Sequence, residues 1–347
     1  MMVLAATIPL TTGPPRVVGP ATKTATRPAD PLPQWLIDGA HVDKREPFDP
    51  EKHLMFEPPS KIYTMPEIGL EGQGISPHAV SAPFPLFTEE AVRQMRAEIF
   101  SREVLDHCQF ASTFNKNMIR GMGPVRAPFI YSAWKSPELL AKISQVAGID
   151  LVPVFDYDIA TINISIGGGG IDLTPSLDRP LDDNLPSVAW HYDSFPFVCV
   201  TMISNCESMV GGETVLRTGT GETMKVRAPA MQGTAVVMQG RYIEHQALRA
   251  LGGRERISMV TAFRPRSPFV KDESTLTGVR GISVIPELYS QYTEYRLEIL
   301  EERIVARLTS ERQREVAKRK FDTTDTRDWL IKQKEFIEAM LTELYEV

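Results

Sequence analysis

Hydrophobic and polar positions change period along this chain, and each change predicts a different kind of element. Residues 1–35 carry Pro9, Pro14, Pro15, Pro20, Pro28, Pro31 and Pro33, so no regular element persists there and a disordered tail is expected. Residues 36–85 are also punctuated by proline and predict an irregular arm with short turns. Over 89–107 the period is helical: Val92, Met95, Ile99 and Val104 mark a buried side, Thr88 can cap, and two acids suit the first turn. Ser136-Pro137-Glu138 starts a second helix, with Leu139, Leu140, Ile143 and Val146 as its apolar side and Gly148 as its end.

From Val152 the period becomes strand-like. Ile159, Thr161, Asn163 and Ser165 fall on one face, and Asp158, Ala160, Ile162 and Ile164 on the other. Gly167 to Gly170 is a glycine run without a following G-K-[ST], so a phosphate loop is not supported; it opens a loop to about Pro186 that is expected to be mobile and to act as a lid. Strands are predicted at 187–193, 196–204, 212–217, 223–228, 233–239, 241–247 and 256–264, separated by turns such as Gly219-Thr220-Gly221 and Gly252-Gly253. Short strands at this spacing favour a closed double-sheet jelly roll. After Pro268 the period is helical again. Leu297, Leu300, Ile304 and Leu308 make one stripe, and Ser310-Glu311-Arg312-Gln313, a capping-box pattern, restarts or continues the helix. Asp322 to Asp325 is a polar break, and Trp329, Gln333, Phe336, Met340 and Leu344 stripe a last helix. These stripes pack either on the barrel or on a partner subunit, so a homodimer through the C-terminal helices is one expectation. The expected fold is mainly β with flanking α: an arm and helices over 36–150, a jelly-roll (double-stranded β-helix) core over 151–268, and helices over 269–347 packed as one domain with it.

Composition narrows the classes. The 347 residues suit one large domain with additions, and 42% hydrophobic with 24% charged residues is ordinary for a globular protein. A net charge of −6 argues against a nucleic-acid footprint. No run of about 18 apolar residues predicts a membrane span. The cysteines, Cys108, Cys199 and Cys206, are odd in number and form no C-x-x-C, which suggests neither a disulfide framework nor a zinc site and makes a reducing cytoplasm the expected compartment.

The chemistry concentrates in Trp190-His191-Tyr192-Asp193. On a strand, residues i and i+2 share a face, so the imidazole of His191 and the carboxylate of Asp193 converge. His245 follows His191 by 54 residues. Two histidines and one carboxylate make the facial triad of a non-haem Fe(II) oxygenase, which leaves positions open for co-substrate and O2. Arg256 and Ser258 follow on one strand face, and a guanidinium fork with a hydroxyl suits a carboxylate.

These residues, with the strand start Gly211-Gly212-Glu213-Thr214-Val215-Leu216 and the apolar run Gly233 to Met238, stand in the order used by the Fe(II)/2-oxoglutarate-dependent dioxygenase family, which the chain resembles over about residues 155–265. Its flanks resemble fungal single-domain members of secondary metabolism, among them the group that oxidises small amino acids, including aziridine formation from valine. The resemblance implies Fe(II) held by His191, Asp193 and His245. It implies 2-oxoglutarate held at its distal carboxylate by Arg256 and Ser258, with O2 as co-substrate, CO2 and succinate as products, and oxidation of a C–H bond in a small molecule. The carboxylate at Asp193 disfavours halogenation, since related halogenases resemble this motif but lack it. For the substrate, Asn163 reaches into the site or faces solvent, and Phe195, Phe197 and Phe263 are core or pocket lining. Arg120 and Arg126 hold a substrate carboxylate or lie at the surface, and Arg241 and Tyr242 are further candidates. Two rivals remain: an oxidase of the same fold that does not use 2-oxoglutarate, and a non-catalytic jelly-roll binding protein.

Overall fold

The structure, a computed structural model, describes residue 28 and residues 31–112, 115–167, 186–206 and 208–345. The expected tail, apart from Pro28 and residues 31–35, and the expected lid over 167–186, apart from Gly167 and Pro186, lie outside the described residues. The alternating stretch resolves into eight principal strands: β1 (Thr161–Ile166), β2 (Pro186–His191), β3 (Phe197–Met202), β4 (Thr214–Arg217), β5 (Thr223–Val226), β6 (Thr234–Met238), β7 (His245–Leu248) and β8 (Glu255–Pro265). They sort into two antiparallel sheets. One runs β1-β8-β3-β6 and is extended by short strands, among them His78–Ser81 beside β6 and Met118–Ile119 beside β1; the other runs β2-β7-β4-β5.

The pleat of the larger sheet assigns its two faces. Ile162, Ile164, Phe197, Cys199, Ala235, Val237, Ile257, Met259 and Phe263 form one core with the helices. Val198, Val236 and Met238, with the half-buried Val200 and Val260, point the other way and meet Leu216 and Val226 of the smaller sheet. The period of two that is visible in the sequence thus becomes two cores, one on each face of the same sheet.

The helices cover the first face. The stretch expected as one helix over 89–107 is two, α1 (Glu89–Ile99) and α2 (Arg102–Cys108), because Ser101 caps a second start at Val104 N (3.4 Å). Thr88 caps α1 through Ala91 N at 3.2 Å. A third helix, α3 (Pro128–Lys135), lies where the periodicity predicts no element; Glu98 accepts hydrogen bonds from Phe129 N (2.8 Å) and Ile130 N (3.0 Å) at its start, a cap from a distant helix that local sequence does not show. The helix α4 (Pro137–Ala147) has Ser136 at its N-cap and Gly148 in the left-handed conformation (φ 70°) at its end.

Three strand boundaries differ from expectation. Asp156–Asp158 is a 3-10 turn, so β1 begins later than the alternation predicts. Residues 241–244 form a turn, closed in part by Tyr242 N on Gln239 O (3.1 Å), and β7 starts only at His245. The strand expected at 187–193 ends at His191.

The C-terminal stripe needs a larger correction. Helix α5 (Ile285–Val316) is continuous through Ser310, and α6 (Thr323–Glu343) is capped by Asp322 through Asp325 N (2.9 Å). The face of α5 that is buried carries Leu288, Tyr292, Tyr295 and Ile299, which pack with Phe336 and Met340 of α6 over Phe155 and Phe195. Leu297, Ile304 and Leu308, expected in the buried stripe, are 52%, 41% and 50% exposed. Helix α5 has apolar residues on two faces, and periodicity alone does not say which one the core takes. No helix among the described residues is long and apolar enough to cross a membrane.

Candidate metal centre

The two histidines come together through pairing of β2 with β7, in which His191, the last residue of β2, is the register partner of His245, the first of β7. Their ring centroids are 4.3 Å apart. Asp193 does not reach them through the pleat of a strand, as its spacing suggests. The chain has left the sheet, and Asp193 N donates to Gly240 O at 3.0 Å. Its Oδ1 then lies 3.5 Å from Nε2 of His191 and 3.7 Å from Nε2 of His245, and the ligand-type atoms of all three residues fall within 4.8 Å of one another.

Backbone carbonyls set the state of both rings. Nδ1 of His191 is 2.8 Å from Ala189 O, and Nδ1 of His245 is 2.8 Å from Ile243 O. A carbonyl only accepts, so each Nδ1 carries the proton and each Nε2 presents a lone pair to the shared centre. Burial lowers the pKa of His245 despite the nearby Asp193, which keeps that ring neutral. Burial acts on His191 in the same sense, but Asp193, which Nε2 faces when the ring is protonated, outweighs it and raises its pKa, so a metal there would replace a proton. Burial pushes the Asp193 carboxyl up; the two imidazoles and Arg241 outweigh this and hold it below the ordinary range. Its second oxygen, Oδ2, is buried without a hydrogen-bond partner. Two preset nitrogen lone pairs, an ionised carboxylate and an unsatisfied buried oxygen form a donor set that fits a divalent metal.

Two residues support the carboxylate in ways that the sequence does not indicate. A Cβ on Gly240 would lie 1.8 Å from Asp193 Oδ2, so only glycine leaves the carboxylate its place. Arg241, considered above for substrate, is instead buried and bonds backbone: Nε donates to Glu273 O (2.9 Å) and Nη1 to Asp193 O (3.4 Å). The segment it holds also donates from Thr275 N to Ser194 O (2.8 Å). Glu343, at the end of α6, accepts from Leu276 N (2.7 Å) and pairs with buried Arg280. The last helix is thereby tied, through 273–280, to the loop that carries Asp193.

Arg256 and Ser258 stand opposite Ser165 and Asn163 on β1 and share a face with Val260, which packs toward the smaller sheet. Leu216, a register partner of His245, faces the same interior from the other side. Burial lowers the pKa of Arg256, with the Cys206 thiol opposing it slightly, and among the described residues its guanidinium has no hydrogen bond or ion pair. Asn163 shares this interior face and accepts from Asn115 Nδ2 at 3.0 Å.

The structure separates Phe195, Phe197, Phe263, Arg120 and Arg126 from this interior, whereas Tyr242 is buried within it. Phe263 is fully buried on the helix-covered face, edge-on to Trp134 at 5.8 Å, because its odd position on β8 is opposite in pleat to Arg256 and Ser258. Phe197 lies in that same core, while Phe195 packs edge-on to Phe155 (5.5 Å) beneath the C-terminal helices. Arg126 donates to Met122 O (3.3 Å) and lies 3.7 Å from Glu103, in the turn Gly123–Arg126. Arg120 is in a buried pair with Asp158 (2.8 Å) and bonds Thr161 Oγ1 (2.9 Å).

Neither a protein-family model nor a curated protein matches the sequence. Among solved structures, the chain is similar to the non-haem alpha-ketoglutarate-dependent epimerase SnoN from nogalamycin biosynthesis, at 16% identity and a TM-score of 0.37 over 52% of this chain and 74% of that one. It is similar to a prolyl 4-hydroxylase from Phytophthora capsici, at 16% identity and a TM-score of 0.36, over 55% of this chain and 59% of that one. It is also similar to HygX from Streptomyces hygroscopicus with nickel, 2-oxoglutarate and hygromycin B bound, at 13% identity and a TM-score of 0.35, over 54% of this chain and 83% of that one. Function is therefore read from the side chains.

Proposed function

We propose that the chain is a non-haem Fe(II) oxygenase that uses 2-oxoglutarate and O2 to oxidise a C–H bond of a small molecule, built on a jelly-roll core. The order β1-β8-β3-β6 facing β2-β7-β4-β5 supports the jelly roll, since each sheet takes its strands from both ends of the chain segment. The observation that carries the function is the convergence of His191, Asp193 and His245, with Arg256 half-buried and, among the described residues, without an ionic partner.

Each residue has a definable task. His191, His245 and Asp193 would hold Fe(II), and Ala189 O and Ile243 O fix the ring tautomers in advance. Arg256 and Ser258 would bind the distal carboxylate of 2-oxoglutarate, a charge-assisted contact strengthened by burial. The bound iron and co-substrate would supply the oxidising power, with CO2 and succinate released. The protein orients these groups and keeps water from the interior between the sheets. Asn163, on the same face as Ser258, would orient either co-substrate or substrate. With Arg120 and Arg126 committed elsewhere, neither supports recognition of an amino-acid carboxylate.

Anaerobic titration tests this reading. Ni(II), as an oxygen-stable stand-in, should bind at one ion per chain, and 2-oxoglutarate should bind only to the metal-loaded protein. With Fe(II), O2 uptake should yield succinate. Metal binding that survives in His245→Ala, or O2 uptake without succinate, would overturn the reading.

A further inference from the structure

Ten of the sixteen exposed large hydrophobic residues among the described residues lie between Leu297 and Leu341, on the hairpin of α5 and α6. Beyond Ile299 no residue of α5 is fully buried, and residues 301–316 extend about 24 Å at 1.5 Å per residue without joining the core. In this part of the hairpin the usual arrangement is inverted. The contacts between α5 and α6 are polar or cationic: Arg307 pairs with Asp325 (2.5 Å) and bonds Thr326 (2.7 Å), and Arg303 lies 4.4 Å from the ring centre of Phe336. Leu300 packs against the core, while Ile304, Val305 and Leu308 are exposed.

These outward residues repeat. Leu297, Glu301, Ile304 and Leu308 on α5 have the same spacing as Leu330, Lys334, Ile337 and Leu341 on α6. Each set follows the alternating three- and four-residue steps of a coiled-coil seam, with one charged residue at the same step of the repeat. The charges are opposite. The seam on α5 is bordered by Glu294 and Glu298, and Arg327 lies beside the seam on α6. Among the described residues Lys334 pairs with the exposed Glu338 of its own helix, at 3.5 Å, a contact of little energetic weight.

We propose that this face is covered by a second copy of the chain. Helix α5 of each copy packs against α6 of the other about a two-fold axis, forming a four-helix bundle in which Glu301 of one copy lies beside Lys334 of the second. A two-fold operation satisfies both seams at once, because each chain carries one acidic and one basic seam of matching step. A charged pair inside a seam also fixes the alignment of the helices. The inference is independent of the chemistry of the metal centre.

Sedimentation equilibrium on the full chain tests it. The wild type should be a dimer. Glu301→Lys and Lys334→Glu, both at exposed positions, should each raise the dimer dissociation constant about tenfold or more, and combining them should restore most of the loss. Ile304→Asp should leave a monomer whose helix content by circular dichroism matches the wild type. A wild-type monomer at tens of micromolar would overturn the proposal and point to a different protein as the occupant. A dimer indifferent to all four variants would also overturn it.

Discussion

Gly240 and Asp193 occupy one space: a Cβ on the glycine would fall 1.8 Å from the carboxylate oxygen Oδ2. Gly240 is not in the left-handed region, so an alanine there meets no backbone strain and acts on the carboxylate alone. Gly240→Ala should therefore displace Asp193 and weaken divalent-metal binding about 10–100-fold, the range expected when a supporting contact is lost. Calorimetric titration with Ni(II) measures this. Metal affinity equal to wild type would mean that Asp193 is not a ligand.

Arg256 gives the proposed co-substrate contact a test apart from the metal. A bidentate carboxylate contact contributes about 1.5–3 kcal/mol per charged hydrogen bond, so Arg256→Ala should weaken 2-oxoglutarate on the order of 100-fold. Arg256→Lys should retain charge without the fork and lose less. Ni(II) affinity should be unchanged in both variants, since Arg256 lies on β8, away from the strands that carry the histidines. The measurement is 2-oxoglutarate binding to the metal-loaded protein. An unchanged constant in Arg256→Ala would assign the guanidinium to the substrate instead.

The site was legible where chemistry restricts residue type. His191, Asp193 and His245 stand out because few side chains ligate metal, and the structure brings these three together, whereas the role of Arg256 rests on its residue type. The route was not legible, because Asp193 arrives by a loop held at Gly240 O rather than by the pleat. Gly240 itself acts by lacking a side chain, which leaves no signal except the glycine. Strands β3, β6 and β8 could be read from their alternation. Helix α3 could not, since its start is capped by Glu98 from another helix. Phe263 shows the cost of judging nearness along the chain: one residue of pleat separates the helix-covered face from the interior.

Glu343 links the last helix to the loop that carries Asp193, and its charge is balanced by Arg280, also buried. Glu343→Gln keeps the shape and an oxygen for Leu276 N but leaves the Arg280 guanidinium uncompensated. Breaking such a pair from one side costs about 3–5 kcal/mol, which urea unfolding should register as a lower midpoint. The same change should weaken Ni(II) binding, because residues 273–280 hold Ser194 and, through Arg241, Asp193. A stability loss with wild-type metal affinity would confine Glu343 to the C-terminal packing.

Glu98 gives the fold a pH signature that can be read apart from the metal centre. Burial raises its pKa above the ordinary 4.5, against the pull of the Ile130 and Phe129 amides and of Arg45. The folded chain therefore holds this proton more tightly than the unfolded chain does. Its contribution to stability is least at neutral pH, grows as pH falls through the raised value, and is full below 4.5. Glu98→Gln removes the titration while keeping an acceptor for one of the two amides. The difference in melting temperature, wild type minus Glu98→Gln, should accordingly increase as pH falls from neutral to below 4.5, whatever its sign at pH 7. Subtracting the variant cancels the other carboxylates, whose acid titration acts on both proteins alike. A difference that is flat across this window would mean that Glu98 is ionised equally in both states, so that the two amides of α3 offset its burial completely.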